Sequence, residues 1–339
     1  MIAANPVVIL ITFLALCASA NAQDAKLIDA AKKEGGKIVA YGPLESETVD
    51  AIAKLFTQKT GIKVEYWRAS ATKVMDRTLA EHRAGKLQAD VVLANASPME
   101  IMKKEGVFVK YDSPQYKGFP KEALDKDGII GPSYRATPYG FVYNTQMIKP
   151  EEAPKSFQDL LNPKWREKIA IPDPTQHTTT TQWLANLHAI LGGPEQADKI
   201  IRGLAAQKPL FVESFTPAAE VVASGEKPIG LAILKHVLIF SQKGAPMDYN
   251  RFPLWLGDGN PIAIAAKAPR PNAARVFLDF FLGDEGMKIM ADTGEFVTRK
   301  GFFPPIKDAD KVKWYDMKEL SIDELAKKKV EYQKIFLAK

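Results

Sequence analysis

The chain contains almost no cysteine. Its 339 residues include a single one, Cys17, and only four histidines. One thiol forms no internal disulfide, because a disulfide needs two cysteines. Cys17 also lies in an apolar N-terminal stretch that we expect to be removed. The mature chain is therefore predicted to have no thiol chemistry.

That N-terminal stretch has the pattern of a secretory signal peptide. Val7–Ala15 is almost unbroken apolar sequence, and Ala20–Ala22 has the small-x-small pattern of a cleavage site. The apolar run is too short for a membrane span, although the first residues lack the Lys or Arg that such signals normally carry. Residues 1–22 are predicted to be a signal peptide of a periplasmic protein. Lipidation at Cys17 is the alternative, which the large Leu16 before it disfavours.

Clustered charge of one sign is also missing. The formal net charge is +6 at neutral pH, but Lys and Arg alternate with Asp and Glu along nearly the whole chain. Nucleic-acid-binding surfaces need clustered basic residues, so no nucleic-acid partner is predicted. The mild excess of positive charge instead favours an anionic ligand or surface.

Recognisable catalytic motifs are absent as well. The sequence has no G-x-S-x-G elbow, no H-E-x-x-H, no P-loop and no G-x-G-x-x-G after its first strand. Scattered acids such as Asp248 and Asp258 are interpreted as surface or hinge residues. We predict that the protein is not an enzyme and needs no cofactor. An exported hydrolase, whose Ser, His and Asp meet only in the folded chain, is the alternative.

The sequence does contain a repeated strand–loop–helix pattern. The predicted strands 37–41, 62–67 and 90–93 are each followed by a polar loop and a helical stretch. This alternation predicts a parallel sheet with helices on its faces, and ligands bind such sheets at the carboxyl ends of the strands. The candidate ligand contacts after these strands are Tyr41, Ser46, Arg68, Ser70, Asn95 and Ser97.

An extended stretch at residues 134–143 leads into a second segment of the same kind. It also alternates strands with helices, and its predicted strands are 168–172, 210–212 and 229–233. Two such segments predict an α/β protein with two lobes and a ligand cleft between them. This arrangement suits a chain that is too long for one compact core.

A run of threonines, Thr178–Thr181, stands where the first helix of this segment begins. Free N–H groups at a helix start bind anions. Ligand contacts are therefore predicted from Thr175, Gln176, His177 and Thr178, with ordinary helix capping as the alternative. A second helix start, near residues 214–217, adds Ser214 and Thr216 as candidates.

Four stretches resemble one known family: DLLNPKWREKIAIPDP (159–174), GFVYNTQMI (140–148), SGEKPIGLAI (224–233) and KAPRPNAARVFLDFFLGDEG (267–286). They are similar to the periplasmic substrate-binding proteins of ABC transporters, in the branch that contains ferric-ion-binding proteins and their organic-anion-binding relatives. The resemblance implies a type II periplasmic-binding-protein fold, in which two doubly wound sheets, joined by a two-strand hinge, close over one solute. It also implies a monomer that delivers the solute unchanged to an ABC permease.

On this resemblance the chain divides into four parts. Residues 1–22 form the signal peptide, and residues 23–137 with about 250–315 form the N-terminal lobe. Residues 138–249 form the C-terminal lobe, and residues 316–339 form a C-terminal helix.

The sequence departs from the ferric-binding members at one informative place. Those members carry adjacent tyrosines where LAILKHVLIF (231–240) stands, and here Lys235 and His236 occupy the place of the pair. A protonated Lys235 would repel ferric iron and attract an anion, so both residues are predicted ligand contacts and no metal is predicted. We expect a small anionic solute: a phosphonate, a carboxylate or a sugar phosphate. Ferric iron held by Tyr41, His177 and His236 is the alternative.

Overall fold

The computed structural model of the chain describes residues 25–337. The predicted signal peptide and Cys17 lie outside the described residues. The described chain forms two compact units. Unit 1 comprises residues 25–134, 260–290 and 298–302, and unit 2 comprises residues 135–259, 291–297 and 303–337. Within residues 25–337, no helix is long and apolar enough to span a membrane.

The first part of the chain builds most of unit 1. Residues 25–33 form helix α1. The elements that follow are β1 (Lys37–Gly42), α2 (Ser46–Thr60), β2 (Lys63–Arg68), α3 (Ala71–Arg83), β3 (Val91–Leu93), α4 (Ala96–Lys104) and the 3-10 turns Pro114–Gly118 and Lys121–Ala123. Helix α2 ends where Gly61 adopts a left-handed conformation with φ 74°, which a glycine does without steric cost. The strand–helix alternation predicted for this region is therefore present.

The middle of the chain builds most of unit 2. Its regular elements are β4 (Ser133–Asn144), β5 (Ile169–Pro172), α5 (Thr178–Asn186), α6 (Pro194–Ala206), β6 (Leu210–Val212), α7 (Phe215–Ala223), β7 (Ile229–Ile233), α8 (Lys235–Ser241) and β8 (Met247–Tyr249). Short 3-10 turns lie at Asp159–Leu161, Pro163–Trp165 and Leu187–Ala189. Strands β6 and β7 have the bounds that the sequence predicts.

The last part of the chain contributes to both units. It contains β9 (Trp255–Ile264), α9 (Pro271–Leu282), α10 (Asp284–Asp292), β10 (Phe296–Val297), a 3-10 turn at Ala309–Lys311, β11 (Trp314–Asp316) and α11 (Ile322–Phe336). The boundaries of the units fall inside β4 and β9. These two strands therefore each carry the chain from one unit into the other.

In unit 1, β1 lies between β2 and β3 and runs parallel to both. The end of β9 pairs antiparallel with β3, where Leu93 lies opposite Ile262. Asp90, just before β3, is fully buried. Its carboxylate accepts hydrogen bonds from the Val39 amide (2.8 Å), the Arg270 amide (2.8 Å) and the Arg270 Nε (2.7 Å). This pair joins the two distant segments of unit 1.

In unit 2, β5 lies between β6 and β7 and runs parallel to both. Strand β7 pairs antiparallel with β4, and β4 also pairs with β8 and β10. Apolar side chains from both faces of this sheet form the core, which includes Phe141, Trp183 and Trp255. Because β5, β6 and β7 are parallel, their carboxyl ends lie at one edge of the sheet.

The units divide the chain at positions that differ from the predicted lobes. Residues 250–259, 291–297 and 303–315, which we predicted in the N-terminal lobe, lie in unit 2, as do residues 135–137. The reason is strand pairing: β10 pairs with β4, and β11 pairs with the beginning of β9. The predicted separate C-terminal helix also belongs to unit 2, because Tyr332 of α11 is buried in its core.

Candidate functional site

Three helices begin close to the ends of the three parallel strands of unit 2. β5 leads through residues 173–177 into α5, β6 leads through residues 213–214 into α7, and β7 leads through Leu234 into α8. Because these strands end at the same edge of the sheet, the three helix starts lie along that edge. Ligands of parallel α/β sheets bind at such an edge.

The threonines before and within α5 use their hydroxyls mainly on local partners. The Asp173 carboxylate accepts hydrogen bonds from the Thr175 amide (2.8 Å) and the Thr175 hydroxyl (2.7 Å). The Thr181 hydroxyl is buried and donates to the carbonyl oxygens of Pro174 (2.8 Å) and His177 (3.1 Å). These bonds fold the entry loop tightly against the helix. The predicted ligand contact from the Thr175 hydroxyl is therefore replaced by a turn within the loop.

His177 caps the start of α5 with its imidazole. Its Nδ1 atom accepts a hydrogen bond from the Thr180 amide (3.3 Å) and lies 2.8 Å from the Thr180 hydroxyl. A backbone amide can only donate, so Nδ1 is unprotonated and the neutral ring carries its proton on Nε2. Burial, reinforced by the charge of Lys329, lowers the pKa of His177 below its usual value. The ring is thus a neutral donor through Nε2.

Two backbone amides at the start of α5 lie before the first hydrogen-bonded turn of the helix. The first bond of the helix runs from the Thr181 amide to the His177 carbonyl, and His177 already caps the Thr180 amide. The first two amides, of Thr178 and Thr179, are therefore the donors that a helix start normally offers to a ligand. Both residues line a cavity of about 660 Å³, together with Asp173, Gln176, His177, Phe211, Val212 and Glu213.

A lysine from α11 contacts the same loop. Lys329 Nζ donates to the Gln176 carbonyl (2.8 Å) and lies 3.5 Å from the Thr178 hydroxyl. The exposed side chain of Gln176 donates from Nε2 to the Thr175 hydroxyl at 3.2 Å. Gln176 and Thr178, two of the predicted ligand contacts, thus lie next to a positive charge that the sequence did not suggest.

The start of α7 presents a similar set of groups. Ser214 precedes the helix and its side chain forms no capping bond. The first helical bond runs from the Ala218 amide to the Ser214 carbonyl, and Pro217 at the third position has no N–H to offer. The amides of Phe215 and Thr216 therefore lie before the first hydrogen-bonded turn of α7, as the amides of Thr178 and Thr179 do in α5.

Aromatic contacts connect the starts of α5 and α7. The ring of Phe215 is buried and packs against the edge of His177, with centroids 5.0 Å apart and planes at 89°. The ring of Phe215 also stacks on Tyr139, with centroids 4.9 Å apart and planes at 27°. The imidazole donor of His177 therefore has a fixed aromatic wall beside it.

His236 is buried against the start of α7. It is 7% exposed, and its Nε2 lies 3.4 Å from the Thr216 hydroxyl. Within residues 25–337 its buried Nδ1 has no hydrogen-bond partner. Burial, reinforced by the charge of Lys235, lowers the pKa of His236 to about 4. His236 is thus neutral at physiological pH and orients Thr216, one of the predicted contacts.

Lys235 does not offer its charge to a ligand in the way that the sequence predicts. Its side chain is only 14% exposed, and Nζ lies 2.5 Å from Oε1 of Glu295. The other carboxylate oxygen of Glu295 lies 2.6 Å from Arg135. Burial alone would raise the pKa of Glu295, but the charges of Arg135 and Lys235 outweigh it and lower that pKa. Lys235 is therefore part of a buried ion cluster.

Tyr41, predicted at the ligand-binding edge of unit 1, belongs to its core. It is 1% exposed, and its hydroxyl donates to Glu81 at 3.2 Å. Its ring packs against Trp67 at 5.1 Å, and the guanidinium of Arg77 lies 4.5 Å from its centroid. Burial, followed by the charge of Glu81, raises the pKa of Tyr41 to about 12. The phenol is thus engaged inside unit 1, which contradicts its predicted role as a ligand contact.

The other predicted residues of unit 1 lie at the ends of its parallel strands. Arg68 ends β2 and is exposed. Ser70 accepts a hydrogen bond from the Lys73 amide (3.4 Å) and thereby caps α3. The side chain of Asn95 forms no capping bond at the start of α4. Ser46 and Ser97 occupy the first turns of α2 and α4. Their role as ligand contacts stays a prediction.

Residues 88–321 match the family model for bacterial extracellular solute-binding proteins. The chain belongs to this family. The matched region includes β3 and all strands from β4 to β11, and hence every helix start of unit 2 described above. The resemblance to substrate-binding proteins of ABC transporters is thereby confirmed.

Similar proteins and solved structures extend the comparison. Iron uptake protein A1 of Synechocystis is 24% identical over 299 residues, which cover 81% of this chain and 79% of that protein. Iron-bound HitA from Pseudomonas aeruginosa has a TM-score of 0.67 and 21% identity, over 89% of this chain and 98% of HitA. AfuA from Actinobacillus pleuropneumoniae, with fructose-6-phosphate bound, has a TM-score of 0.61 and 22% identity, over 89% and 97% of the two chains. These likenesses confirm the periplasmic-binding-protein fold class.

Two polar residues of this solute-binding protein escaped the sequence-based prediction. The Tyr139 hydroxyl donates to Asp258 Oδ2 at 2.9 Å, behind the stack of Tyr139 on Phe215. Burial raises the pKa of Asp258 to about 7; the Tyr139 hydrogen bond opposes the shift, and Glu319 and Asp316 add to it. Asp258, which we interpreted as a surface or hinge residue, is thus a partly buried acid of β9 with a hydrogen-bonded partner. The alternation of residues 139, 141 and 143 puts Tyr139 on one face of its strand. No pattern in the sequence, however, indicates that Asp258 is its hydrogen-bond partner.

A metal-binding constellation is not evident in the part of the chain that the structure describes. No group of three or more His, Cys, Asp and Glu side chains there could hold a metal ion. The hydrogen bonding of the His177 ring is also unfavourable for binding a metal ion, because an imidazole that ligates a metal normally donates its other N–H to the protein. Here Nδ1 accepts instead, so Nε2 carries the proton.

Proposed function

We propose that this periplasmic solute-binding protein captures a small anionic solute and delivers it unchanged to an ABC permease. The oxyanion of the solute is held by the starts of α5 and α7 and by Nε2 of His177. One observation carries the proposal. Nδ1 of His177 accepts from the Thr180 amide, so the ring presents a neutral N–H donor beside two helix starts.

The electrostatics of these groups favour an anion over a cation. The amides of Thr178, Thr179, Phe215 and Thr216 are donors at the positive ends of two helix dipoles. Lys329 adds a positive charge near Thr178. Donors that already point at the ligand need little reorganisation when it binds, which favours tight binding.

The chemical class of the anion follows from the same groups. A phosphonate, a carboxylate and a sugar phosphate each carry several oxygen atoms that can accept hydrogen bonds from N–H donors at these two helix starts. AfuA, whose structure holds fructose-6-phosphate, supports the sugar phosphate as the first ligand to test. Closure of the two units over the solute and a monomeric state stay predictions of the sequence.

Ferric iron is the second candidate, because iron uptake protein A1 and iron-bound HitA are relatives. Phenolates and carboxylates are the hard oxygen ligands that a highly charged cation prefers. The phenol of Tyr41 is engaged with Glu81, and the ring of His177 presents a proton rather than a lone pair. Both features favour the organic anion.

A ligand panel tests the proposal. The exported protein, freed of bound solute by unfolding and refolding, is titrated calorimetrically with fructose 6-phosphate, ethylphosphonate, succinate and ferric citrate. We expect an organic anion to bind, and at a hundredfold excess over its Kd to raise the free energy of unfolding by about 2.7 kcal/mol. Binding of ferric citrate alone would favour iron and overturn the proposal.

The same titration tests whether the solute is altered. We expect NMR of the recovered solute to show the starting compound after prolonged incubation with the protein. Appearance of a hydrolysis product, at a rate proportional to protein concentration, would instead identify an exported hydrolase.

A further inference from the structure

A hydrogen-bonded pair of ionisable side chains lies directly behind the proposed anion site. Tyr139 of β4 donates its hydroxyl to Asp258 of β9 at 2.9 Å. Tyr139 is buried, and Asp258 is only partly exposed. The proposed function makes no use of this pair, although one of its members touches the site.

Ring contacts connect the pair to the anion donors. The phenol ring of Tyr139 stacks on Phe215, with centroids 4.9 Å apart. Phe215 is the first residue of α7 and packs against the edge of His177 at 5.0 Å. A change in the Tyr139–Asp258 hydrogen bond therefore acts on the ring of Phe215. This residue packs against the imidazole of His177 and carries one of the proposed donor amides.

The charges around the pair make Asp258 sensitive to an anion. Asp316 of β11 and Glu319 act on Asp258 with the same sign of charge, and burial acts in the same direction, so its pKa is raised to about 7. On the other side, the positive charge of Arg135 acts on Tyr139, and Arg135 is itself held by Glu295. An anion placed beside Phe215 adds another negative charge to this environment.

We propose that Asp258 is a positioning residue that couples solute binding to the uptake of a proton from solvent. When an anion occupies the site, the proton is added to the Asp258 carboxylate, and Tyr139 stays protonated and stacked on Phe215. The coupling rests on the proposed function, because a cationic or metal ligand would drive the proton off Asp258 instead.

The coupling has a defined sign and size. Solute binding and proton binding favour each other, and the effect is reciprocal. If the anion raises the pKa of Asp258 by one unit from about 7, affinity at pH 6 exceeds affinity at pH 8 by about fivefold. The proton taken up at pH 7 is then a measurable fraction of one per solute bound.

Calorimetry in two buffers of different ionisation enthalpy measures the proton. The full mature protein is titrated at pH 7 in PIPES and in Tris with the tightest binder among fructose 6-phosphate, ethylphosphonate and succinate. The same titrations are made with Asp258→Asn, which keeps the shape of the side chain, and protons from the solute itself cancel in the comparison. We expect the wild type to take up more protons than the variant, and only the wild type to lose affinity from pH 6 to pH 8 beyond the solute's own ionisation.

A matched control lies on the same strand. Tyr143 of β4 donates to Asp248 at 3.3 Å, and Asp248 is bridged to Arg251 at 2.9 Å, away from Phe215. Asp248→Asn is expected to behave as the wild type in both proton number and pH profile. A wild-type proton number equal to that of Asp258→Asn, or a release of protons, would overturn the inference while the binding itself upholds the proposed function. Failure of every anion to bind would overturn both.

A second readout tests the positioning without any solute. The Cε1–H resonance of His177 is followed by NMR between pH 5.5 and 8.5. We expect a shift with a midpoint near 7, above the lowered pKa of His177 itself, in the wild type and in Asp248→Asn. A midpoint near 7 that persists in Asp258→Asn would show that another group moves the ring and would overturn the role of Asp258.

Discussion

The imidazole of His177 turns back onto its own helix, so that Nδ1 lies 2.8 Å from Oγ1 of Thr180. The same nitrogen accepts from the Thr180 amide, which fixes the neutral tautomer. One side chain thus caps α5 and, through Nε2, offers a donor to the solute. These two roles can be separated by substitution.

His177→Asn and His177→Ala separate the cap from the donor. Asparagine is a good helix cap, whereas alanine costs about 1 kcal/mol of stability at such a position. Both remove the Nε2 donor, so both should weaken anion binding by about tenfold, as expected for a hydrogen bond to a charged group. Urea unfolding and calorimetry provide the two measurements.

The control is His188→Ala, because His188 is exposed and its ring nitrogen contacts only the Ala185 carbonyl in the described structure. That variant should keep both affinity and stability. Unchanged affinity in both His177 variants would remove this residue from the site.

Glu295→Ala should strongly destabilise unit 2. Glu295 is almost fully buried between Arg135 and Lys235, and removing one member of a buried ion cluster costs about 3–5 kcal/mol. Because the pKa of Glu295 is lowered in the folded state, this contribution is present above the unfolded pKa and lost as the pH falls through the folded one. Urea unfolding at pH 7 and pH 3.5 measures the difference between variant and wild type, which should shrink at pH 3.5.

An exposed ion pair provides the comparison for this cluster. Glu285 bridges Lys59 in unit 1 with about half of each side chain in solvent. Glu285→Ala should change stability by less than about 1 kcal/mol. A similar small change in Glu295→Ala would mean that the buried cluster contributes no more than a surface pair.

Asp258→Asn should become more stable than the wild type as the pH rises. The folded pKa of Asp258 is raised, so the folded state holds a proton that the unfolded state releases. The stability that this proton provides is complete below about pH 4 and is lost as the pH rises to about 7. The asparagine variant has no such loss, and should gain on the wild type by up to about 4 kcal/mol between pH 4 and pH 8. Thermal unfolding across this range measures it, and parallel curves for the two proteins would contradict it.

Gly140→Ala should disrupt the centre of β4. A Cβ at this position would overlap the indole ring of Trp255. Overpacking of this kind costs about 1–3 kcal/mol or more, and urea unfolding measures it. The smaller ring in Trp255→Phe should relieve part of the cost in a double-mutant cycle. Additive costs in that cycle would indicate that the overlap is not the cause.

The alternation of strands and helices could be predicted because each strand is a short apolar run bounded by turn residues. Strands β6 and β7 were predicted to the residue for this reason. Strand β9 was not, because Gly257, Gly259 and Pro261 read as loop residues. The pairing of β9 with β3 and β11 outweighs the loop preference of these residues. For this reason the boundaries of the units differ from those of the predicted lobes.

The candidate site was predictable where it depends on the backbone and unpredictable where it depends on partners. The start of α5 follows from the order of β5, loop and helix, so His177 and Thr178 were identified as candidates. The engagement of Lys235 with Glu295 joins residues 60 positions apart, and that of Tyr139 with Asp258 joins residues 119 apart. No local pattern encodes such pairs. Tyr41 was misassigned for the same reason, since Glu81 lies 40 positions further along the chain.

The bond between Asp90 and Arg270 bears on the order in which the chain can fold during export. Residues 135–259 are contiguous, whereas unit 1 needs its first segment together with the end of β9 and α9. Until residues 260–282 have emerged, unit 1 lacks both the strand end that pairs with β3 and the guanidinium that pairs with Asp90. Residues 25–134 therefore cannot complete unit 1 before the segment that carries Arg270 has been made.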